Sequence, residues 1–191
     1  MKSKEKVRLS SQEILDCDVG NNGCEGGHVN KVLQFGINKG FNPEECYERT
    51  ETVNECEVDH FESNECRLDN HVFKVHDHCI AAGEENIKRE IVKNGPVIGQ
   101  MVPFTDFLAY KEGTYHKTPE AFKFNGQHLV KIIGWGKALD GSTDWVIENS
   151  WGSDWGEKGY GKVASGKGDT MIEHAAIGMA LNEYTNAEMQ E

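Results

Sequence analysis

A histidine in "GQHLVKIIGWG" (Gly126 to Gly136) and an asparagine in "WVIENSWGSDWG" (Trp145 to Gly156) are the side chains in this sequence best suited to act together in catalysis. A hydrolase working through a Cys–His or Ser–His couple needs a nucleophile, a base beside it and a third group that holds the base's tautomer. His128 lies in an apolar, strand-like run just after a turn, and Asn149 closes a second such run. If the two runs are neighbours in one sheet, the asparagine amide oxygen can accept a hydrogen bond from the imidazole. That bond would decide which ring nitrogen stays basic. Trp151 and Trp155 could then cover the pair and keep water from competing. Taken singly, these residues read first as core histidine, turn asparagine and packed tryptophan. Their order within long, specific strings favours chemistry.

The elements that must position this pair follow from periodicity. After Pro96, strand-like runs are "VIGQMV", "HLVKIIGWG", "TDWVIE", "GYGKVA" and "HAAIGMAL", separated by Gly-rich turns as an antiparallel sheet or small barrel requires. Before them, Ile87 and Ile91 share one face of a helix that ends at Gly95-Pro96. Further upstream, Ser10-x-x-Glu13 reads as a capping box that starts a short helix. "DVGNNGCEGG" reads as a loop, and Val29, Val32, Leu33 and Ile37 recur at helical spacing up to Gly40. From Asn42 to about Ala82 the polar, cysteine-studded text predicts irregular structure pinned by disulfides. The expected fold class is α+β. Residues 1–82 form a helical, disulfide-bearing part, residues 83–191 a β-rich part carrying His128 and Asn149, with the site in a cleft between them.

Composition narrows the partners. With 20 basic against 32 acidic residues in 191, the net charge is −12, so nucleic acid and anionic membrane surfaces are not expected to bind. No apolar run approaches the length of a membrane span. The start, "MKSKEKVRLSSQ", has no apolar segment after its basic residues and does not read as a secretory signal. Six cysteines, at 17, 24, 46, 56, 66 and 79, all fall in the first 80 residues; their even count favours an oxidising compartment, in conflict with the absent signal, and the two readings both stand at this point. Spacing alone leaves 15 pairings open. A zinc module on His76, His78 and Cys79 would lack the accompanying C-x₂₋₄-C pair, so neither a metal nor a cofactor is expected.

"GQHLVKIIGWG" with "DWVIENSWGSDWGEKGYGKV", preceded by "LSSQEILDC", "GNNGCEGG" and "KNGPVIGQM", resembles the papain-like cysteine peptidases, in order and over roughly Leu9 to Ala180. Within that family, "GCEGG", the cysteine-dense stretch from Cys46 to Cys66, "NGPVIGQM" and "SGKGDTMIEHAA" are most similar to the cathepsin Z branch. The resemblance implies a papain-like two-subdomain fold with an incomplete helical half and an antiparallel, barrel-like half. It implies His128 as the partner of the nucleophile and Asn149 as its orienter. It places Gly26 and Gly27 on the backbone edge that pairs with an extended peptide or protein substrate, and Trp151 as shield and apolar wall. It pairs Cys17 with Cys56 and Cys46 with Cys66, leaves Cys24 single and makes no assignment for Cys79. Gly99 and Ala175 stand where the branch carries a further disulfide, and Asp144 stands where an aromatic is usual. A lysosomal or secreted location also follows from the resemblance.

The nucleophile of such enzymes sits in a C-G-[SA]-C-[WY] context about 130–150 residues before the histidine and asparagine. None of the contexts "LDCDV", "NGCEG", "EECYE", "NECEV", "NECRL" and "DHCIA" fits. The expectation is therefore a polypeptide that holds the His and Asn of a Cys–His–Asn centre but not the Cys. It would be inactive alone, and completed by an N-terminal fragment or partner chain that also covers Val29, Val32 and Leu33. The alternative is a catalytically inactive homologue that serves as a binding or structural subunit.

Overall fold

The computed structural model describes residues 7–50, 52–57, 71–138 and 141–185. The polypeptide divides into two compact units, Met1–Asp77 with Ala180–Glu191, and His78–Met179. Among the described residues, seven strands hydrogen-bond in the order β1-β7-β2-β4-β5-β6-β3. The fold is α+β, as the sequence implied.

In the first unit, helix α1 (Ser11–Cys17) starts where Ser10 Oγ accepts from the Glu13 N–H at 3.0 Å. The reciprocal half of the capping box is not formed. The Glu13 carboxylate instead accepts from the Asn42 N–H (2.7 Å) and Asn42 Nδ2 (2.8 Å), and the Ser10 N–H donates to Asn42 O. Glu13 thus ties the helix to a segment 29 residues away. Burial raises its carboxyl pKa, against the lowering effect of those two donors. Cys17 and Cys56 are joined as a disulfide. Cys24 is exposed and outside any disulfide. The Cys46–Cys66 pairing involves Cys66, which lies outside the described residues.

Helix α2 (Val29–Asn38) buries Leu33 and Gly36, while Val29, Val32, Phe35 and Ile37 are half-buried. A Cβ at Gly36 would meet the Phe41 ring at 2.5 Å, so the missing side chain is what lets Phe41 approach the helix. Gly40 ends the helix at φ +88°, and its own Cβ would lie 2.3 Å from Val72.

Val72 belongs to β1 (His71–Ala81), which corrects the expectation of irregular structure as far as Ala82. The period-2 signal is weak there because the buried valines, Val72 and Val75, are three apart and His76 to Ile80 are all exposed. The strand is at the edge of the sheet, where charged and polar side chains are tolerated and discourage further pairing.

The second unit is organised on β2 (Val97–Met101), β4 (His128–Lys137), β5 (Thr143–Glu148) and β6 (Tyr160–Ala164), antiparallel neighbours in that order. Alternation puts Val97, Met101, Val130, Ile132, Trp145, Ile147 and Val163 into one core, which Ile87 of α3 (Glu84–Asn94) completes. Two short elements have no counterpart among the runs legible in the sequence: α4 (Thr105–Leu108) and β3 (Thr114–Tyr115), the latter parallel to β6. The last strand, β7 (Ala176–Thr185), pairs with β2 through Ile177 and Ala176. A Cβ at Gly99 would lie 2.7 Å from Ile132, so at this position the core is filled by an isoleucine rather than a cystine.

The start of α3 is clamped to the sheet by charge. The Lys88 ammonium, then the hydroxyls of Thr143 (2.6 Å) and Ser165 (2.8 Å), hold the Glu84 carboxyl down to about 2. The Ser165 hydroxyl also lies against Glu173, which accepts from Trp145 Nε1 at 2.8 Å. A depressed carboxyl pKa stabilises the fold above its ordinary value of 4.5, and that contribution is lost as pH falls through about 2. Glu84→Gln is expected to lower stability at neutral pH by about 1–2 kcal/mol, with the difference from the parent shrinking as pH falls from 4.5 toward 2. Thermal melts across that range measure it.

Candidate active site

His128 is the first residue of β4 and Asn149 directly follows β5. Because β4 and β5 pair antiparallel, with Lys131 opposite Glu148, the start of one and the end of the other meet at the same end of the sheet. The side chains touch there: His128 Nε2 and Asn149 Oδ1 are 2.8 Å apart.

The chemistry of this contact is fixed by a backbone donor. The Ser150 N–H donates to Asn149 Oδ1 at 2.8 Å, and an N–H can only donate, so the atom facing it must be the oxygen. The same oxygen faces the imidazole, which must therefore carry its proton on Nε2. The neutral ring is left with its lone pair on Nδ1, the nitrogen open to a proton from elsewhere. Asn149 itself is held by its own N–H, which donates to Gly159 O at 2.8 Å. Its Nδ2 is buried and has no partner among the described residues.

Trp151 stacks on the imidazole, with centroids 4.6 Å apart and planes at 29°. Behind it stands Phe107, fully buried, with ring centroids 5.6 Å from Trp151, 5.0 Å from Trp155 and 4.9 Å from Tyr115. Trp155 is locked by a 2.9 Å hydrogen bond from its Nε1 to Phe107 O, and meets Trp151 edge-on at 89°. Phe107 does not stand out in the sequence. Its signal is the aromatic spacing of "FLAYKEGTY", in which Phe107, Tyr110 and Tyr115 converge. α4 is anchored in turn by Asp106, which accepts from Tyr115 Oη at 2.5 Å and from the Thr118 N–H at 2.7 Å. Burial pushes the Asp106 carboxyl up, but these donors outweigh it and its pKa is lowered; burial and Asp106 together push the Tyr115 phenol up.

Gly26 and Gly27 lie in the first unit. Gly26 uses both backbone polar groups in its own turn: its N–H donates to Gly23 O and its carbonyl accepts from the Asn22 N–H. Gly27 is exposed, and its N–H and C=O have no partner among the described residues, so it is Gly27 that leaves its backbone polar groups unengaged. A Cβ on Gly27 would fall 2.4 Å from Asn21 Oδ1. That oxygen accepts from the His28 N–H at 2.7 Å, and Asn21 Nδ2 reaches His28 O at 3.4 Å.

Asp144 is buried, with Oδ2 accepting from Thr114 Oγ1 at 2.6 Å and Oδ1 unpartnered among the described residues. His76 bonds the Ala180 carbonyl through Nδ1 at 3.1 Å. Among the described residues no group of three or more His, Cys, Asp or Glu side chains is placed to hold a metal ion, and no helix is long and apolar enough to cross a membrane.

Removing the acceptor should release the tautomer. In Asn149→Ala, nitrogen NMR of the neutral His128 ring is expected to show the Nδ1–H form gaining population at the expense of Nε2–H. An unchanged tautomer would mean that Asn149 does not set it. Phe107→Ala is expected to cost about 3–5 kcal/mol in denaturant unfolding, because a buried aromatic with several ring partners is removed.

Residues 1–180 match the family described as papain family cysteine protease. Cathepsin B-like CP1 of Giardia intestinalis is 29% identical over 184 residues, spanning 94% of this chain and 59% of the relative. Cathepsin B-like cysteine proteinase 2 of Haemonchus contortus is 48% identical over 88 residues, spanning 46% of this chain and 25% of the relative. Among solved structures, procathepsin B S9 from Trypanosoma congolense superposes with a TM-score of 0.80 at 26% identity, spanning 93% of this chain and 61% of that one. The protein thus spans between a quarter and about three fifths of the length of these relatives. With residues 1–180 matching, it belongs to the papain family of cysteine proteases.

Proposed function

We propose that His128 and Asn149 are the base and its orienter in cysteine-type peptide hydrolysis, and that the thiol they serve lies outside these 191 residues. The observation that carries the reading is the tautomer geometry. Asn149 holds the Nε2 proton, so Nδ1 is the nitrogen that would take the thiol proton. None of the six cysteine contexts has the neighbours such a nucleophile requires, which supports its placement elsewhere.

In this reading the thiol proton passes to His128 Nδ1 and the thiolate attacks the scissile carbonyl. The imidazolium returns the proton to the leaving amine, and a water deprotonated by the same nitrogen then hydrolyses the thioester. Gly27 offers its free N–H and C=O to an extended peptide, by β-strand addition. Trp151 covers the imidazole face and shields the His128–Asn149 bond from water. No cofactor is required.

The finer placement in the cathepsin Z branch rests on the four short strings quoted above. The relatives described above carry cathepsin B-like names, and the chemistry proposed is common to the family. The missing thiol segment would also cover the half-buried Val29 and Val32 of α2. The procathepsin B S9 described above is a proform, which supports an accompanying segment as a partner here too. A lysosomal or secreted location fits the disulfide.

A fluorogenic peptide assay tests the reading. The protein alone is expected to be silent, and turnover is expected when an N-terminal fragment carrying the thiol is supplied. In the completed protein, His128→Ala is expected to lose roughly 10²–10⁴ in rate. Turnover by the protein alone, or full activity of the His128→Ala variant, would overturn the proposal.

A further inference from the structure

Three Asn-Gly steps occur in the sequence, Asn22–Gly23, Asn94–Gly95 and Asn125–Gly126. A glycine after asparagine leaves the next backbone nitrogen unshielded by a Cβ, so that nitrogen can attack the asparagine side chain. Whether it does so in a folded protein depends on what holds the two groups. The structure separates the three steps on that ground.

At Asn94 the attacking group is engaged. The Gly95 N–H donates to Ile91 O at 3.0 Å, and Asn94 Nδ2 donates to Glu90 Oε1 at 2.7 Å. At Asn22 the backbone is held on both sides. Its N–H donates to Gly26 O and its carbonyl accepts from the Glu25 N–H, each at 3.0 Å, so the rotation that closes a ring breaks the turn. At Asn125 nothing of the kind exists among the described residues. Asn125 and Gly126 are both exposed, neither the Asn125 amide nor the Gly126 N–H has a hydrogen-bond partner, and Gly126 (φ +95°) has open space around it. The bend is nonetheless anchored at both ends. The Phe124 N–H donates to Pro103 O at 3.0 Å, Gln127 bonds Gln100, and His128 opens β4 opposite Met101.

We propose that Asn125 is a site of spontaneous deamidation that places a new charge three residues before His128. The Gly126 nitrogen attacks Asn125 Cγ; the new N–C bond forms as the Cγ–Nδ2 bond breaks, and ammonia leaves a five-membered imide. Water then opens the imide at either carbonyl, giving aspartate or isoaspartate. No redox partner is needed, and the balance is one ammonia lost, one water gained and one negative charge added. The isoaspartate product also lengthens the backbone by a methylene just before the strand that positions the imidazole. The modification stands on exposure and hydrogen bonding alone; its relevance to catalysis rests on the reading of His128 as the base.

The test is ageing of the full folded protein at mildly alkaline pH, followed by reduction, trypsin and mass spectrometry. Cleavage after Lys123 and Lys131 isolates "FNGQHLVK". This peptide is expected to gain about one dalton, fivefold or more faster than the peptides carrying Asn22 and Asn94, since at least one of the two hydrogen bonds must break at each of those. In urea the three rates are expected to converge. Equal or faster gain at Asn22 or Asn94 in the folded protein, or no gain at Asn125, would overturn the proposal. So would the same gain in the Asn125→Gln variant. NMR of the His128 ring reads the consequence separately: its signals are expected to shift in the aged parent and stay fixed in aged Asn125→Gln. Unmoved signals in the aged parent would refute that part.

Discussion

One backbone N–H decides the chemistry of this site. Because Ser150 donates to Asn149 Oδ1, the asparagine amide has a single orientation, and because that oxygen also meets His128, the imidazole has a single neutral tautomer. The rest of the second unit serves to keep the two residues within 2.8 Å. The β4–β5 pairing sets the register, and the Gly159 carbonyl anchors Asn149 from the other side. A side-chain donor in place of Ser150 N–H could rotate away. A peptide N–H that directly follows the asparagine has no such freedom, so orientation is written into the backbone path.

Around that contact, rigidity comes from aromatic packing. Phe107 touches both tryptophans and both neighbouring tyrosines, and its own carbonyl accepts the Trp155 indole N–H. A ring held on several sides transmits position better than an aliphatic side chain, since each contact has a preferred geometry. Trp151 is therefore fixed by the same group that closes the core, and the imidazole stacks on a surface that does not yield. Core and site share residues, so damage to one is felt by the other.

The sequence made the site legible where the determinants are local in sequence. His128 and Asn149 could be paired because both ends of adjacent strands were marked by apolar alternation and glycine turns. The Cys17–Cys56 bridge came from the family resemblance, whereas six cysteines by themselves left the pairing open. What escaped was set by contacts distant in sequence. Glu13 reads as half of a capping box, yet its carboxylate is claimed by Asn42. β1 is hidden because an edge strand need bury only a few side chains, and its two buried valines do not alternate. Phe107 looks like one apolar residue of a connection, and only the fold reveals how many rings converge on it. The two glycines look equivalent in text; their difference lies in which backbone groups the Gly23–Glu25 turn consumes.

The loop at Asn21 carries a further implication. With its amide bridging the N–H and C=O of His28, this one side chain acts as a surrogate neighbouring strand and holds the backbone beside Gly27 extended. An extended peptide docking there would find the entropy of ordering the loop spent during folding, and more of its contact energy would appear as affinity.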